Sequence, residues 1–314
     1  MKDFPWKYAL VIVSLLFISL PLFAQQPSGS RGVPVNMIVT VESRHGEHPP
    51  AIDREDVMVF QGKTRDQVTS WVAAQGDHVP LELFILLDDC SGPSLGTELD
   101  DIRQFINAQP VTTKVGVAYM QNGTTQVAQN LTEDHALAAK SLRLPLGVAG
   151  VNASPYFALS DLVKRWPAHS ARREVVMVSD GIDRYYDMED LLDPYVIDAI
   201  SDAQRAGVVV HTIYNPGVGH FGHSYWRNYW GQLYLARVAD ETGGESYYIG
   251  FTGPAVAFAP FLDDVDHRLK NQYLLAFDAQ PGKKGGLEAV KITTELRGIS
   301  LVAANKVYVP LEPQ

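Results

Sequence analysis

A single cysteine, Cys90, stands in 314 residues, so no intrachain disulfide can form and the fold must be held by its core. Positive charge is scarce too. The 26 Lys and Arg are outnumbered by 36 Asp and Glu, and the formal net charge is −10. Like-charge repulsion therefore opposes nucleic acid and anionic membrane as partners; a partner with basic patches, or a bridging cation, suits the chain better. Beyond residue 24 no apolar run approaches the ~20 residues of a membrane-spanning helix. The short signatures of common enzymes are missing as well: there is no Gly-x-Ser-x-Gly, no Gly-x-x-x-x-Gly-Lys-Ser/Thr and no His-Glu-x-x-His. Internal repeats and low-complexity tracts are absent.

What is present begins with a leader. Lys2 and Lys7 precede the apolar run Tyr8–Phe23, and Ala24 supplies a small residue before Gln25-Gln26. This layout predicts a secretory signal peptide over residues 1–24, and hence a secreted or periplasmic protein. The alternative is an uncleaved membrane anchor through residues 8–23. Cys90 is not placed for lipid attachment behind such a leader. Loss of Lys2, Lys7 and Asp3 with the leader moves the net charge from −10 to −11. The remainder is long enough for one large core with an appendage.

Residues 25–32 read as a polar linker. From 33 to 80 the pattern is β-like: Val35, Met37, Val39 and Val41 alternate with polar or small residues, and a hairpin is predicted around Gln61-Gly62-Lys63. From 81 to 271 strands alternate with helices. Strands are expected at Leu83–Leu87, Lys114–Met120, Thr125–Gln129, Val175–Ser179, Val208–Tyr214 and Ser246–Ile249. Helices are expected from Thr97 (as N-cap), Glu133, Ser154-Pro155, Asp193-Pro194, about Gly231 and about Pro254. Such alternation implies an α/β class, with a doubly wound, mostly parallel sheet covered by helices on both faces. Residues 272–314 return to β pattern, as a small β-rich appendage open to pairing with 33–80.

The stretch Leu81–Gly96, LELFILLDDCSGPSLG, carries most of the chemistry. An apolar strand delivers two carboxylates and several hydroxyls into a loop before a helix, and Glu174–Gly181, EVVMVSDG, repeats that ending. Carboxylates at the carboxyl ends of neighbouring strands line the crevice of an open α/β sheet. Together with AGVVVHTIY and ADETGGESYY, these segments resemble the von Willebrand factor type A (VWA) domain. The likeness is greatest to the divergent form in secreted proteins of soil bacteria, of acidobacterial type, and covers about 190 residues.

That resemblance implies a metal-ion-dependent adhesion site (MIDAS), in which Mg²⁺ or Mn²⁺ takes hard oxygens in octahedral geometry and keeps one position for a partner's carboxylate. The family motif is Asp-x-Ser-x-Ser, with a Thr from a second loop and an Asp after a later strand. Counted from Asp89, Ser91 fits; Pro93 stands at the third position, with Ser94 one step late. Counted from Asp88, the hydroxyl positions become Cys90 and Gly92. Asn152 or Ser154 stands in for the Thr, and Asp180 fits the last position. The expected metal set is Asp88, Asp89, Ser91, Ser94, Asn152, Ser154 and Asp180, with Asp89, Ser91 and Asp180 at its centre. The opposing expectation is a decayed site whose residues only cap strand and helix ends.

Lesser features are weighed beside it. Asp183, Asp187, Glu189 and Asp190 offer either further ligands or a solvated acidic loop. Residues 215–230 read as a long loop in which His220, His223, Tyr225, Trp226, Tyr229 and Trp230 either anchor a partner or pack down as a lid. His220-x-x-His223 and His45-x-x-His48 lack companion zinc ligands at diagnostic spacing. Cys90 reads as a buried thiol rather than a nucleophile. Arg172, Arg173 and Arg184 are the positive charges near the crevice in sequence. The chain is therefore expected to be a non-enzymatic, adhesion-like module that binds a protein partner, with an acidic residue of that partner completing the cation's shell. A scaffolding role with a dead site and a metal-dependent hydrolase are the alternatives.

Overall fold

Two six-stranded sheets share the chain, one mostly parallel between two layers of helices and one antiparallel. The computed structural model describes residues 32–311 apart from 44–48, 92–94, 148–153, 168–170, 187, 189, 217–223, 249–256 and 283. The leader 1–24 and most of the linker therefore lie outside the described residues.

The first stretch builds three strands, β1 (Val33–Ser43), β2 (Val57–Gln61) and β3 (Thr64–Ala73). The central region then runs β4 (Leu81–Asp88), α1 (Leu95–Ala108), β5 (Lys114–Gln121), β6 (Thr124–Thr132), α2 (His135–Lys140) and α3 (Pro155–Arg165). It continues through β7 (Arg172–Ser179), α4 (Pro194–Ala206), β8 (Val208–Tyr214), α5 (Tyr225–Thr242), β9 (Ser246–Tyr247) and α6 (Ala259–Lys270). The chain closes with β10 (Gln272–Ala279), β11 (Gly286–Ala289), β12 (Lys291–Thr294), β13 (Ile299–Ala303) and β14 (Lys306–Val309).

The parallel-rich sheet has the order β6-β5-β4-β7-β8-β9, with only β6 running antiparallel at its edge. Strand β4 lies at its centre, and every residue in it is buried. Its period of two sends Leu81, Leu83, Ile85 and Leu87 into one core with α1, α2 and α6. Phe84 and Leu86 face the other core, with α3, α4 and α5. Burial of such side chains stabilises the fold by roughly 1.5–3 kcal/mol each. This is the doubly wound, mostly parallel architecture that the alternation of apolar strands and amphipathic helices implies.

Local chemistry explains most helix ends. Ser154 caps α3 with Pro155 at the first position, and Asp193 caps α4 ahead of Pro194. Three starts differ from expectation. Helix α6 begins at Ala259 rather than near Pro254. Helix α1 begins at Leu95, so Thr97 lies in its first turn rather than at its cap. Helix α5 begins at Tyr225, where Ser224 accepts a hydrogen bond from the Arg227 N–H. The aromatic run to Trp230 is thus helical, although its bulky rings and Gly231 lower its helix propensity.

The antiparallel sheet has the order β12-β2-β3-β10-β1-β13, so strands from both ends of the chain interleave within it. Val33, Val35, Met37, Val39 and Val41 of β1 point into its core, beside Leu275 and Phe277 of β10. Polar bonds join this sheet to the α/β layers. Arg172 donates to the Leu269 carbonyl at 2.7 Å and to Gln272 Oε1 at 2.6 Å. Arg268 binds Glu245 at 2.6 Å, Asp264 at 2.9 Å, and Glu42 of β1.

Candidate functional site

Because β4 and β7 are parallel neighbours, with Leu87 level with Val178, their carboxyl ends bring Asp88 beside Ser179 and Asp180. All are buried. The Asp88 carboxylate accepts from the Cys90 N–H at 2.9 Å on one oxygen and from the Ser179 hydroxyl at 2.7 Å on the other. Burial pushes the Asp88 carboxyl above its ordinary range and the Asp180 charge adds to that, against the pull of these two donors.

Asp89 points elsewhere. Arg143 grips it with two parallel bonds, Nη1 to Oδ1 at 2.6 Å and Nη2 to Oδ2 at 2.7 Å. Gln121 donates to Oδ2 at 2.5 Å, and the Leu146 N–H approaches Oδ1 at 3.3 Å. The same guanidinium lies 3.8 Å above the Tyr119 ring. Successive residues at a strand end face opposite ways, so two adjacent aspartates serve two environments.

Asp180 has its own guanidinium. Arg184 Nη2 reaches Oδ2 at 2.5 Å and Nη1 reaches Oδ1 at 3.3 Å, while the Ile182 N–H donates to Oδ1 at 2.9 Å. Only 10% of the Arg184 side chain is exposed. Burial alone would lower the Arg184 pKa, but the Asp180 charge and hydrogen bond, with Asp88 beyond, raise it on balance. Two glycines allow the close approach of α5 to this strand end. A Cβ on Gly231 would stand 2.3 Å from the Asp180 carbonyl oxygen, and one on Gly181 would stand 2.2 Å from the Gly231 carbonyl oxygen, at a φ of +69°.

Of the remaining expected ligands, Ser154 is committed, Ser91 is described without a side-chain partner, and the others lie outside the described residues. Ser154 donates to Asp183 at 3.0 Å while capping α3. Asp183 also takes the N–H groups of Tyr185 at 2.7 Å and Tyr186 at 3.1 Å. Ser91 Oγ is buried and has no partner among the described residues. Ser94 and Asn152 lie outside them, as do Asp187, Glu189, His45, His48, His220 and His223. The Cys90 thiol is buried, and burial with the Asp88 charge pushes its pKa far up, which suppresses the nucleophilic thiolate.

A cleft of about 180 Å³ opens between Asp88–Cys90, the turn Gln121–Gly123 and Ser154–Pro155. It is smaller than the ~300–1,000 Å³ of ordinary small-molecule sites. A divalent cation needs hard oxygens left open to it. Here both Asp89 oxygens are held by Arg143 and both Asp180 oxygens by Arg184, while Ser154 Oγ donates to Asp183 and accepts from the Phe157 N–H. Counted from Asp88, the carboxylate that does face Asp180, the next ligand position holds the Cys90 sulfur. Among the described residues, no three carboxylate, imidazole or thiol side chains converge on one point. The donors among the described residues, as arranged, do not fit Mg²⁺ or Mn²⁺. Of the expected centre of Asp89, Ser91 and Asp180, Asp89 turns to Arg143, and it is Asp88 that faces Asp180.

Arg172 and Arg173 are also corrected, because they open β7 at the far end of the strand from Asp180. Of the functional cations, Arg184 could be found from its i+4 spacing to Asp180, whereas Arg143 carries no local signal. The aromatic residues read as a loop form the first turns of α5. Tyr225, Trp226 and Tyr229 are 69%, 53% and 37% exposed. Trp226 stacks on Tyr229 with centroids 5.8 Å apart, and Trp230 meets both edge-on at 6.0 Å. Tyr185, Met188, Leu191 and Leu192, exposed in the segment before α4, add apolar surface. That segment meets α5 where the Tyr234 hydroxyl donates to the Asp190 carbonyl at 2.8 Å.

No protein-family profile matches the chain, and no curated protein matches it in sequence. Among solved structures it is similar to an aerotolerance-related membrane protein from Bacteroides fragilis NCTC 9343 carrying multiple mutations to serine. That pair is 14% identical with a TM-score of 0.42, over 60% of this chain and 98% of the other. The SpRpn10 VWA domain is 16% identical with a TM-score of 0.38, over 60% and 95% of the two chains. Manganese-loaded TRAP protein from Plasmodium vivax is 13% identical with a TM-score of 0.42, over 78% and 98%.

Proposed function

We propose that this chain, with its VWA-like α/β domain, is an exported protein-interaction module that binds its partner over the carboxyl edge of the parallel sheet. The observation that carries the reading is the exposed set Tyr225, Trp226 and Tyr229 on α5, with Trp226 stacked on Tyr229. Large aromatic rings held in water at one place lose little entropy on docking and bury much apolar area. Gly181 and Gly231 seat the same helix directly on the crevice. The excess of acidic residues favours a partner whose rim is basic around an apolar centre. Export rests on the leader over residues 1–24. Among the described residues, no helix is long and apolar enough to cross a membrane.

A binding role is favoured over hydrolysis because the crevice carboxylates are neutralised by guanidinium groups and the lone thiol is held protonated. A hydrolase needs a general base or nucleophile left available. The test is capture by photo-crosslinking from a crosslinker placed at Tyr225, using protein 25–314 and the envelope and secreted fractions of the source cell. A specific adduct that disappears in Trp226→Ala/Tyr229→Ala supports the reading. An adduct of equal yield in wild type and double variant would sink it.

A further inference from the structure

We propose that Arg184 supplies, from within the chain, the positive charge that a divalent cation supplies in a metal-dependent crevice of this architecture, so that the crevice is built to work without metal.

Two buried carboxylates, Asp88 and Asp180, are brought together at adjacent strand ends, where neither can be solvated. Such a pair requires a counter-charge, because charges taken out of water cost several kcal/mol each unless matched. Arg184 provides it. Its guanidinium covers both oxygens of Asp180, is anchored to the Ile182 carbonyl at 3.3 Å, and acts electrostatically on Asp88.

The planar fork of arginine matches a carboxylate at two points and stays charged at any physiological pH. A metal ion must instead be captured from solution and strip oxygens of their existing partners. To enter here, a divalent cation would have to displace a side chain that is nine-tenths buried. Its own charge would then stand beside the displaced guanidinium.

The neighbouring carboxylate offers no reserve. Asp89 is neutralised separately by Arg143, on the other side of the strand end, with Gln121 as a third donor. Asp89 and Asp180 have thus each been closed by a different arginine. The motif departures agree with this, because Cys90 and Gly92 stand where hydroxyl ligands would follow Asp88.

The experiment titrates Mg²⁺ and Mn²⁺ into chelator-stripped protein 25–314 and into Arg184→Ala, read by calorimetry and by melting temperature. Wild type is expected to give no saturable heat up to about 5 mM, well above the range of ordinary extracellular cation sites. Arg184→Ala is expected to melt lower in chelator and to recover roughly 3 °C at a tenfold excess of metal over its Kd. That recovery should vanish in Arg184→Ala/Asp88→Asn. One-site binding by wild type that is lost in Asp180→Asn would overturn the proposal, as would a folded Arg184→Ala with no cation response. If Arg184→Ala does not fold in chelator, refolding in Mn²⁺ decides: recovery of folded protein supports the proposal and its absence overturns it.

Discussion

Arg143 holds both carboxylate oxygens of Asp89, at 2.6 and 2.7 Å, across 54 residues of sequence. Asp88, its immediate neighbour, turns away toward Ser179 and Asp180. One peptide unit therefore separates two charge systems, and the crevice is laid between them.

Breaking the first of these systems should be expensive. Arg143→Ala leaves Asp89 buried with only Gln121 and one backbone N–H as donors. The expected loss is about 2 kcal/mol, below the full penalty for an orphaned buried charge because 38% of the Arg143 side chain is in water. Urea unfolding measures it. A midpoint equal to wild type would mean that the pair contributes nothing to the fold.

Asp193 should give the chain a pH signature. Burial pushes its carboxyl up to about 6, the Val196 and Tyr195 N–H groups oppose this, and the Asp183 charge adds to it. The folded state thus holds the proton more tightly than the unfolded chain, whose aspartates titrate near ~3.9. The resulting stabilisation is complete below ~4 and is lost as pH rises through about 6. Asp193→Asn keeps an acceptor for the α4 cap and cannot ionise. The stability of wild type relative to this variant should fall between pH 4 and 7 in parallel urea titrations, and a flat difference would contradict the assignment.

The aromatic residues of α5 should separate stability from binding. Trp226→Ala and Tyr229→Ala remove partly exposed rings that pack mainly on one another and on Trp230, so each is expected to shift stability by about 1 kcal/mol or less. Partner affinity should fall at least tenfold for Trp226→Ala, as at other aromatic hot spots. Melting curves paired with affinity measurements on the captured partner read both quantities from the same preparations.

Gly231→Ala tests the contact that seats α5 on the crevice. The added methyl meets the Asp180 carbonyl oxygen at 2.3 Å and the Gly181 carbonyl carbon at 3.1 Å, so backbone must move. A destabilisation of roughly 1–3 kcal/mol is expected. A stability gain, as an ordinary Gly→Ala change within a helix would bring, would show that the helix sits further from the strand end.

Arg268 should hold the two sheets together. It binds Glu42 in β1, Asp264 within its own helix and Glu245 before β9, with 12% of its side chain exposed. Arg268→Met keeps the aliphatic stem and leaves three carboxylates without their cation. A loss of about 2–3 kcal/mol is expected, and added salt should narrow the gap to wild type by screening the remaining repulsion. A salt-independent difference would point to packing instead of charge.

Much of this protein was determined locally and is legible in its residues. Periods of two and 3.6, with Ser154-Pro155 and Asp193-Pro194 as helix starts, dictate which segments become strands and helices. Alternation of the two dictates an α/β sheet covered on both faces. Side chains bound to neighbours a few residues away obey the same logic, and the Asp180–Arg184 pair lies within it. The aromatic start of α5 was obscured because bulky rings and Gly231 are weak helix formers, and the Ser224 cap with tertiary packing overrides them.

The charge pairing of the crevice was decided only by tertiary structure. Which of Asp88 and Asp89 faces Asp180 depends on the register between β4 and β7, and a one-residue change would exchange them. Arg143 reaches Asp89 because the segment after α2 returns past the end of β5, where Tyr119 receives it and Gln121 donates to the same carboxylate. Carboxylates at a strand end carry no mark of their counter-ion. Whether an arginine or a metal balances them is settled by what the folded chain places within about 3 Å, and here it places two guanidinium groups.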